Sequence, residues 1–136
     1  MCSKLKQNGK EVEPRGMLNV LTPDGPVSLP WRGPGAIKGH PITCARVESV
    51  RPKENGKPTY WESRGYSPVA FLVDGFKEGE IWFNGRGHLA GMSDGKQVVV
   101  MTRPATPVET EYFKGHDRVP QEFGPEHEEY LKRFTG

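Results

Sequence analysis

Hydrophobic and polar positions alternate along this chain over short spans, and turn signals interrupt them every few residues. "GMLNVLTPDGPVSL" reads as two short strands around a Pro-Asp-Gly turn. "ITCARVESV" alternates as a half-buried strand does, with Ile42, Cys44 and Val47 towards one side. "PVAFLVDGF" is a continuous apolar run closed by Asp-Gly, the pattern of a strand buried on both faces. "EIWFNG", "GHLAGM" and "KQVVVMT" follow as strands, with "SDGK" as the hairpin between the last two. "PWRGPGAIKGHP" is too rich in Gly and Pro for a regular element. The one clear helical signal is "GPEHEEYLKRF", with Pro125 at a first helical position, acids early, and Lys132 and Arg133 late, as the helix dipole favours. The expected fold is α+β and β-rich: an antiparallel sheet forming an open barrel with a few short peripheral helices.

Composition narrows this reading to one unit. A chain of 136 residues, 34% hydrophobic, can bury a single modest core, so residues 1–136 are expected to form one compact domain. Seventeen Gly and 13 Pro argue against a helical bundle. Lys and Arg number 19 against 17 Asp and Glu, a balance that permits nucleic-acid binding without arguing for it. No apolar run is long enough to span a membrane, and the polar first 15 residues are unlike a signal peptide. Two cysteines make no disulfide framework, so a reducing cytoplasm is the expected compartment. A monomer is the expected state. No cofactor or metal site is expected.

Four stretches carry chemistry: "MCSK" at the start, "CARVES" at 44–49, "DGFKEG" at 74–79 and "GHDRVP" at 115–120. Removal of Met1 would give Cys2 a free α-amine and a thiol on adjacent carbons. Such an aminothiol condenses with aldehydes, the amine forming a Schiff base and the thiolate closing a thiazolidine. The other stretches supply an arginine beside a carboxylate, a second carboxylate expected on a turn, and a histidine with an arginine two residues on. Taken singly, each has a plain structural reading. His116 alone reads as a surface histidine, Glu78 as a solvated turn residue, and Arg46 and Glu48 as same-face neighbours on a strand.

In order and content these stretches resemble the SOS response-associated peptidase (SRAP) family, whose members react covalently with abasic sites in single-stranded DNA. The family's Met-Cys-Gly-Arg is similar to Met1-Cys2-Ser3-Lys4, and its Asn-Ala-Arg-Ser-Glu-Thr to Cys44-Ala45-Arg46-Val47-Glu48-Ser49. Its Asp-Gly-Phe-Tyr-Glu-Trp resembles Asp74-Gly75-Phe76-Lys77-Glu78-Gly79, and its His-x-Arg-Met-Pro resembles His116-Asp117-Arg118-Val119-Pro120. "LNVLTP", which contains Asn19, echoes the family's Tyr-Asn-Ile-Ala-Pro, "LAGMSDGKQVVVMTRPAT" its Ala-Gly-Leu-Trp segment and Thr-rich strand, and "PEHEEYLKRF" its closing helix. The resemblance runs through nearly the whole chain. The departures are a compressed stretch before "CARVES", Cys44 for Asn, Lys4 for Arg, and Gly79 for Trp. The last leaves Glu80 as a conceivable substitute for Glu78.

The resemblance implies that the chain shields abasic sites by a thiazolidine crosslink to Cys2, with self-removal of Met1 and a weak AP-lyase activity. It implies Cys2 as nucleophile, Glu78 as the acid that expels water, and His116 as the group that helps open the sugar. It gives Lys4, Arg46 and Arg118 to the DNA phosphates, Trp31 to base stacking, and Cys44 and Asn19 to the site's surroundings. Trp61 and Trp82 are further stacking candidates, and Lys6 and Lys10 add charge near the nucleophile. Cys44 in the Asn position would lie beside Cys2, close enough for a disulfide. Two other classes stand beside this reading: a non-catalytic binder of single-stranded DNA, and a metal or redox protein using Cys2, Cys44 and His116.

Overall fold

The computed structural model describes residues 2–22, 24–50 and 55–124, with only the backbone of Cys2, Ala36, Ile37, His40 and Pro41. The expected helix at 125–134 and the Pro23 position of the first turn lie outside the described residues.

The chain opens with a hairpin, β1 (Cys2–Gln7) and β2 (Lys10–Val12). Asn8 and Gly9 connect them with φ of 50° and 75°, the two positive values that a type I′ turn requires. A second hairpin follows, β3 (Met17–Thr22) with β4 (Gly25–Pro30), in the place the sequence predicts. The Gly- and Pro-rich stretch holds only the two-residue strands β5 (Ala36–Ile37) and β6 (His40–Pro41). β7 (Cys44–Arg46) runs into α1 (Val47–Val50), where the alternation had suggested continuing strand. The Ser49 hydroxyl donates to the Arg46 carbonyl at 2.7 Å, and the helical turn buries Val47 and Val50 together, which a strand's period of two cannot do.

After a 3₁₀ turn at Glu62–Arg64, the long strands β8 (Ser67–Glu78) and β9 (Ile81–Ser93) form the central hairpin. Asp74-Gly75 therefore does not end a strand, and "EIWFNG" and "GHLAGM" belong to one element. Gly75 is needed for close approach rather than for a turn: a Cβ there would collide with the Phe83 carbonyl. The reversal falls instead at Gly79-Glu80, with Gly79 at φ 58°. β10 (Val98–Pro104), α2 (Pro107–Tyr112) and β11 (Arg118–Pro120) complete the described chain. α2 has a capping box: Thr106 accepts from the Glu109 N–H while the Glu109 carboxylate accepts from the Thr106 N–H.

The main sheet is mostly antiparallel, in the order β11-β10-β9-β8-β1-β2. The β3–β4 hairpin joins it through Leu21 opposite Ala70, and β7 lies parallel to β10. The ladder does not close on itself, although an isolated bridge joins Trp31 to Val98. Two apolar clusters fill the interior. One centres on Leu5, Trp31, Phe71 and Val98, the other on Trp61, Met92, Val99 and Met101. A register shift beside Val73 and Gly75 lets Val73 and Phe76 both reach the first cluster, although residues three apart on a regular strand face opposite ways. Glu78, two residues beyond Phe76, shares its face. Among the described residues no helix is long and apolar enough to cross a membrane.

Candidate functional site

The last residue of β8, Glu78, is paired with Cys2 on one side and with Ile81 on the other. Its side chain is 0% exposed. Burial pushes the carboxyl above the ordinary carboxylate range, and the positive charge of the chain's amino terminus acts the other way. A proton is therefore retained at this position to a higher pH than on a solvated glutamate. The sequence expectation of a solvated turn residue is corrected here: the turn starts one residue later. Glu80, the alternative carboxylate, is 94% exposed and pairs with Lys77 at 3.6 Å.

A register irregularity between Cys2 and Lys4 frees Ser3 from ordinary pairing. Its hydroxyl lies within hydrogen-bonding distance of the Lys77 carbonyl, at 3.0 Å, and the Gly79 carbonyl, at 3.3 Å. The first strand is thereby tied across the Glu78 turn. His116 closes the other side. A Cβ at Gly79 would run into the imidazole, meeting Nε2 first, so the ring lies where any larger residue would stand. Gly79 thus supplies both the left-handed turn and the space for His116. Three candidates from distant parts of the sequence lie around this turn: the backbone of Cys2 opposite Glu78, Glu78 itself, and the His116 ring against Gly79.

Arg118 begins β11, which approaches β1. Its guanidinium donates to both Glu48 carboxylate oxygens, at 2.8 and 3.2 Å, and to the Thr102 carbonyl and hydroxyl, at 2.9 and 3.2 Å. Those bonds hold the Glu48 carboxyl below its ordinary range. Arg46 is exposed on β7, opposite Thr102 across the ladder. Two arginines therefore converge on Thr102, one tied to a carboxylate and one facing solvent.

Other candidates fall elsewhere. Lys4 pairs with Glu11 at 3.6 Å and Glu13 at 3.3 Å, which raises its pKa, chiefly through the hydrogen bond to Glu13. Trp31 is 0% exposed, its indole N–H donating to the Thr43 carbonyl at 2.8 Å, so it has no face to offer a base. Trp61 is buried as well, while Trp82 is half-buried with the Lys6 ammonium 4.6 Å from its ring centre. Asn19 lines a separate pocket of about 210 Å³ with Gln7, Asn8, Asp74 and His88. That pocket reaches β8 at Leu72 and Asp74; Asp74, the nearer, is four residues from Glu78, about 13 Å along a strand. Cys44 is half-buried opposite Val100, its sulfur 3.8 Å from the Thr43 hydroxyl. The Cys2 thiol, and with it the expected neighbourhood of Cys2 and Cys44, lies outside the described residues. Among those described, no three His, Cys, Asp or Glu side chains form a metal-binding group.

Sequence reasoning did not single out Ser3, which joins β1 to the Glu78 turn, or the pairing of Arg118 with Glu48. Nothing in the local pattern around Ser3 signals its role. The alternation at 42–50 concealed Glu48, because a helical turn replaces the expected strand. The sequence matches no protein-family model and no curated protein.

Proposed function

We propose that this chain is a covalent sensor of abasic sites in single-stranded DNA, acting as a SRAP-like protein through an N-terminal cysteine. The observation that carries the reading is the register of β1 on β8, with Cys2 opposite a buried glutamate and His116 packed at the same turn. An aminothiol at that register would face a carboxyl whose pKa burial raises, the direction that favours the proton donor imine formation needs.

The chemistry follows in balanced steps. His116 donates a proton to the ring oxygen of the closed sugar as its anomeric hydroxyl loses one, exposing the C1′ aldehyde. The neutral α-amine of Cys2 attacks that carbon, and proton transfer gives a carbinolamine. Glu78 donates a proton to the departing hydroxyl, which leaves as water, and its carboxylate takes back the nitrogen's proton, so that a neutral imine remains. The Cys2 sulfur adds to the imine carbon while its thiol proton passes to the nitrogen, closing a thiazolidine. One aldehyde and one aminothiol become one ring and one water. Elimination at the imine stage would cleave the strand, the source of weak AP-lyase activity. Arg46 and Arg118 would bear on the phosphates beside the lesion. The same reading makes the unclosed sheet an open barrel and the protein a cytoplasmic monomer that meets its substrate on DNA.

The experiment is intact-mass measurement after incubation with a single-stranded oligonucleotide carrying one abasic site. Protein that has lost Met1 should gain the mass of the oligonucleotide less one water, and Cys2→Ala should gain none by this route. Binding without a mass change would overturn the covalent reading in favour of a non-catalytic binder. Neither binding nor a mass change would overturn both.

A further inference from the structure

The Glu78 turn adjoins a group of exposed aromatic rings that the mechanism above does not use. Phe83 and Tyr112 are 46% and 52% exposed. Their ring centres lie 6.4 Å apart, nearly perpendicular. Both rest on buried or half-buried rings: Phe83 on Phe76 at 5.4 Å and Tyr112 on Phe113 at 4.9 Å. Phe76 and Phe113 are themselves 5.6 Å apart. Large rings left in water are costly unless something covers them, and four in contact form a patch rather than scattered exposure.

The register fixes where this patch lies. Phe83 is opposite Phe76, and Ile81 is opposite Glu78, so the exposed ring stands on the glutamate's face of the sheet. Two residues along the strand separate the two pairs, about 7 Å. From the other direction, Tyr112 is four residues before His116. The platform is also held in place before any ligand arrives. The Tyr112 hydroxyl donates to the Trp82 carbonyl at 3.1 Å, and α2 is fixed by its capping box and by Arg103 on Glu109.

We infer that Phe83 and Tyr112 form the surface on which a base next to the lesion stacks, an inference that rests on the single-stranded DNA reading of the site. Unpaired bases present flat π-faces that aromatic side chains bind with little regard to sequence. Two cations stand near the rings in sequence, Arg86 three residues after Phe83 on β9 and Lys114 two residues after Tyr112, just past α2. Both are exposed, and neither makes an ion pair among the described residues. The nearby carboxylates Glu80 and Glu109 are already held by Lys77 and Arg103. Of the two carboxylates on α2, Glu111, beside Tyr112 and exposed, is the one with no ion pair among the described residues, and its charge opposes a phosphate. The inference also places the stacking surface away from the tryptophans, two of which the core absorbs.

The test is fluorescence-anisotropy titration of an undamaged single-stranded oligonucleotide against the full chain, with thermal unfolding as the folding control. Phe83→Ala and Tyr112→Ala should each weaken binding by about 5- to 150-fold, the range of base–aromatic stacking. Tyr112→Phe, which keeps the ring, should bind as the parent does, and Glu111→Gln should bind more tightly. Crosslinking of an abasic oligonucleotide at a concentration below saturation should slow in the two alanine variants as binding weakens, and should keep the parent rate in Tyr112→Phe. Unchanged affinity in both alanine variants, with normal unfolding, overturns the stacking surface even where crosslinking proceeds. Weakened binding with no crosslinking in any protein leaves the stacking surface standing and overturns the covalent reading instead. A parent chain that does not bind the oligonucleotide overturns both.

Discussion

Glu78 is a buried carboxylate and Glu109 a half-buried one, and the fold treats them oppositely. Glu109 meets the Arg103 guanidinium in a paired contact, at 2.7 and 2.8 Å, and also accepts the Thr106 N–H at 2.9 Å. Those donors draw its pKa down to about 2, and the same guanidinium lowers Glu122. Glu78 is more deeply buried, yet burial prevails there and the carboxyl moves up. Where cationic donors are supplied, the charged form is favoured and the pairing serves stability. Where burial prevails, the neutral form is favoured, which costs stability if the group must ionise and gives it a proton to use. The difference separates a structural carboxylate from a candidate acid more sharply than residue type or exposure could.

The largest expected effect comes from removing the proton donor. Glu78→Gln should slow thiazolidine formation by about 10²- to 10⁴-fold, as should His116→Ala, the range for loss of one general acid or base. Time-resolved intact mass reads both. The glutamine variant should also melt higher than the parent at pH 8, because it cannot ionise in the buried position. A lower melting temperature in that variant would place Glu78 among the structural carboxylates.

Arg103→Ala reaches the other pole of the comparison. It leaves Glu109 and Glu122 without their shared partner and should destabilise the fold by about 2–3 kcal/mol in denaturant titration. Crosslinking at saturating DNA should be unchanged in the folded protein. A selective loss of crosslinking would show that the two regions are coupled.

The pH dependence should carry both signs. Glu109 has its pKa lowered from 4.5 to about 2, so its stabilisation is complete above its unfolded value and is lost as pH falls from near 4.5 towards 2. Arg103→Ala should flatten that acid limb. Glu78 has its pKa raised, so its burial penalty grows as pH rises above the ordinary carboxylate value, and Glu78→Gln should flatten that upper limb. Urea unfolding midpoints across pH 2–8 check the two together. The smallest expected effect is at the cap: Thr106→Ala removes one half of the capping box and should cost about 1 kcal/mol with no change in crosslinking.

Local pattern made much of the fold legible. The β3–β4 hairpin follows from alternation around a Pro-Asp-Gly turn, and "SDGK" joins β9 to β10 as its residues predict. The Asn8-Gly9 hairpin and the Thr106-x-x-Glu109 box carry equally plain signals that the reading passed over among polar residues. Other features had no local signal. Val47–Val50 alternates as a strand yet turns as a helix, because both valines can then reach the core. Asp74-Gly75 has the composition of a turn, but the facing Phe83 carbonyl makes glycine a packing requirement inside a continuous strand.

By itself the sequence determined a β-rich chain with short helices and the residue types of the proposed chemistry: a cysteine behind the first methionine, a glutamate and a histidine. Those depend on composition and on periods of two to four residues, which a chain carries locally. Tertiary structure alone decided which glutamate is buried, that Cys2 is opposite it, that His116 fills the space a side chain at Gly79 would take, and that Trp31 belongs to the core. Each of those depends on partners dozens of residues away, brought together by strand register and by the exclusion of water. No short window of sequence contains either.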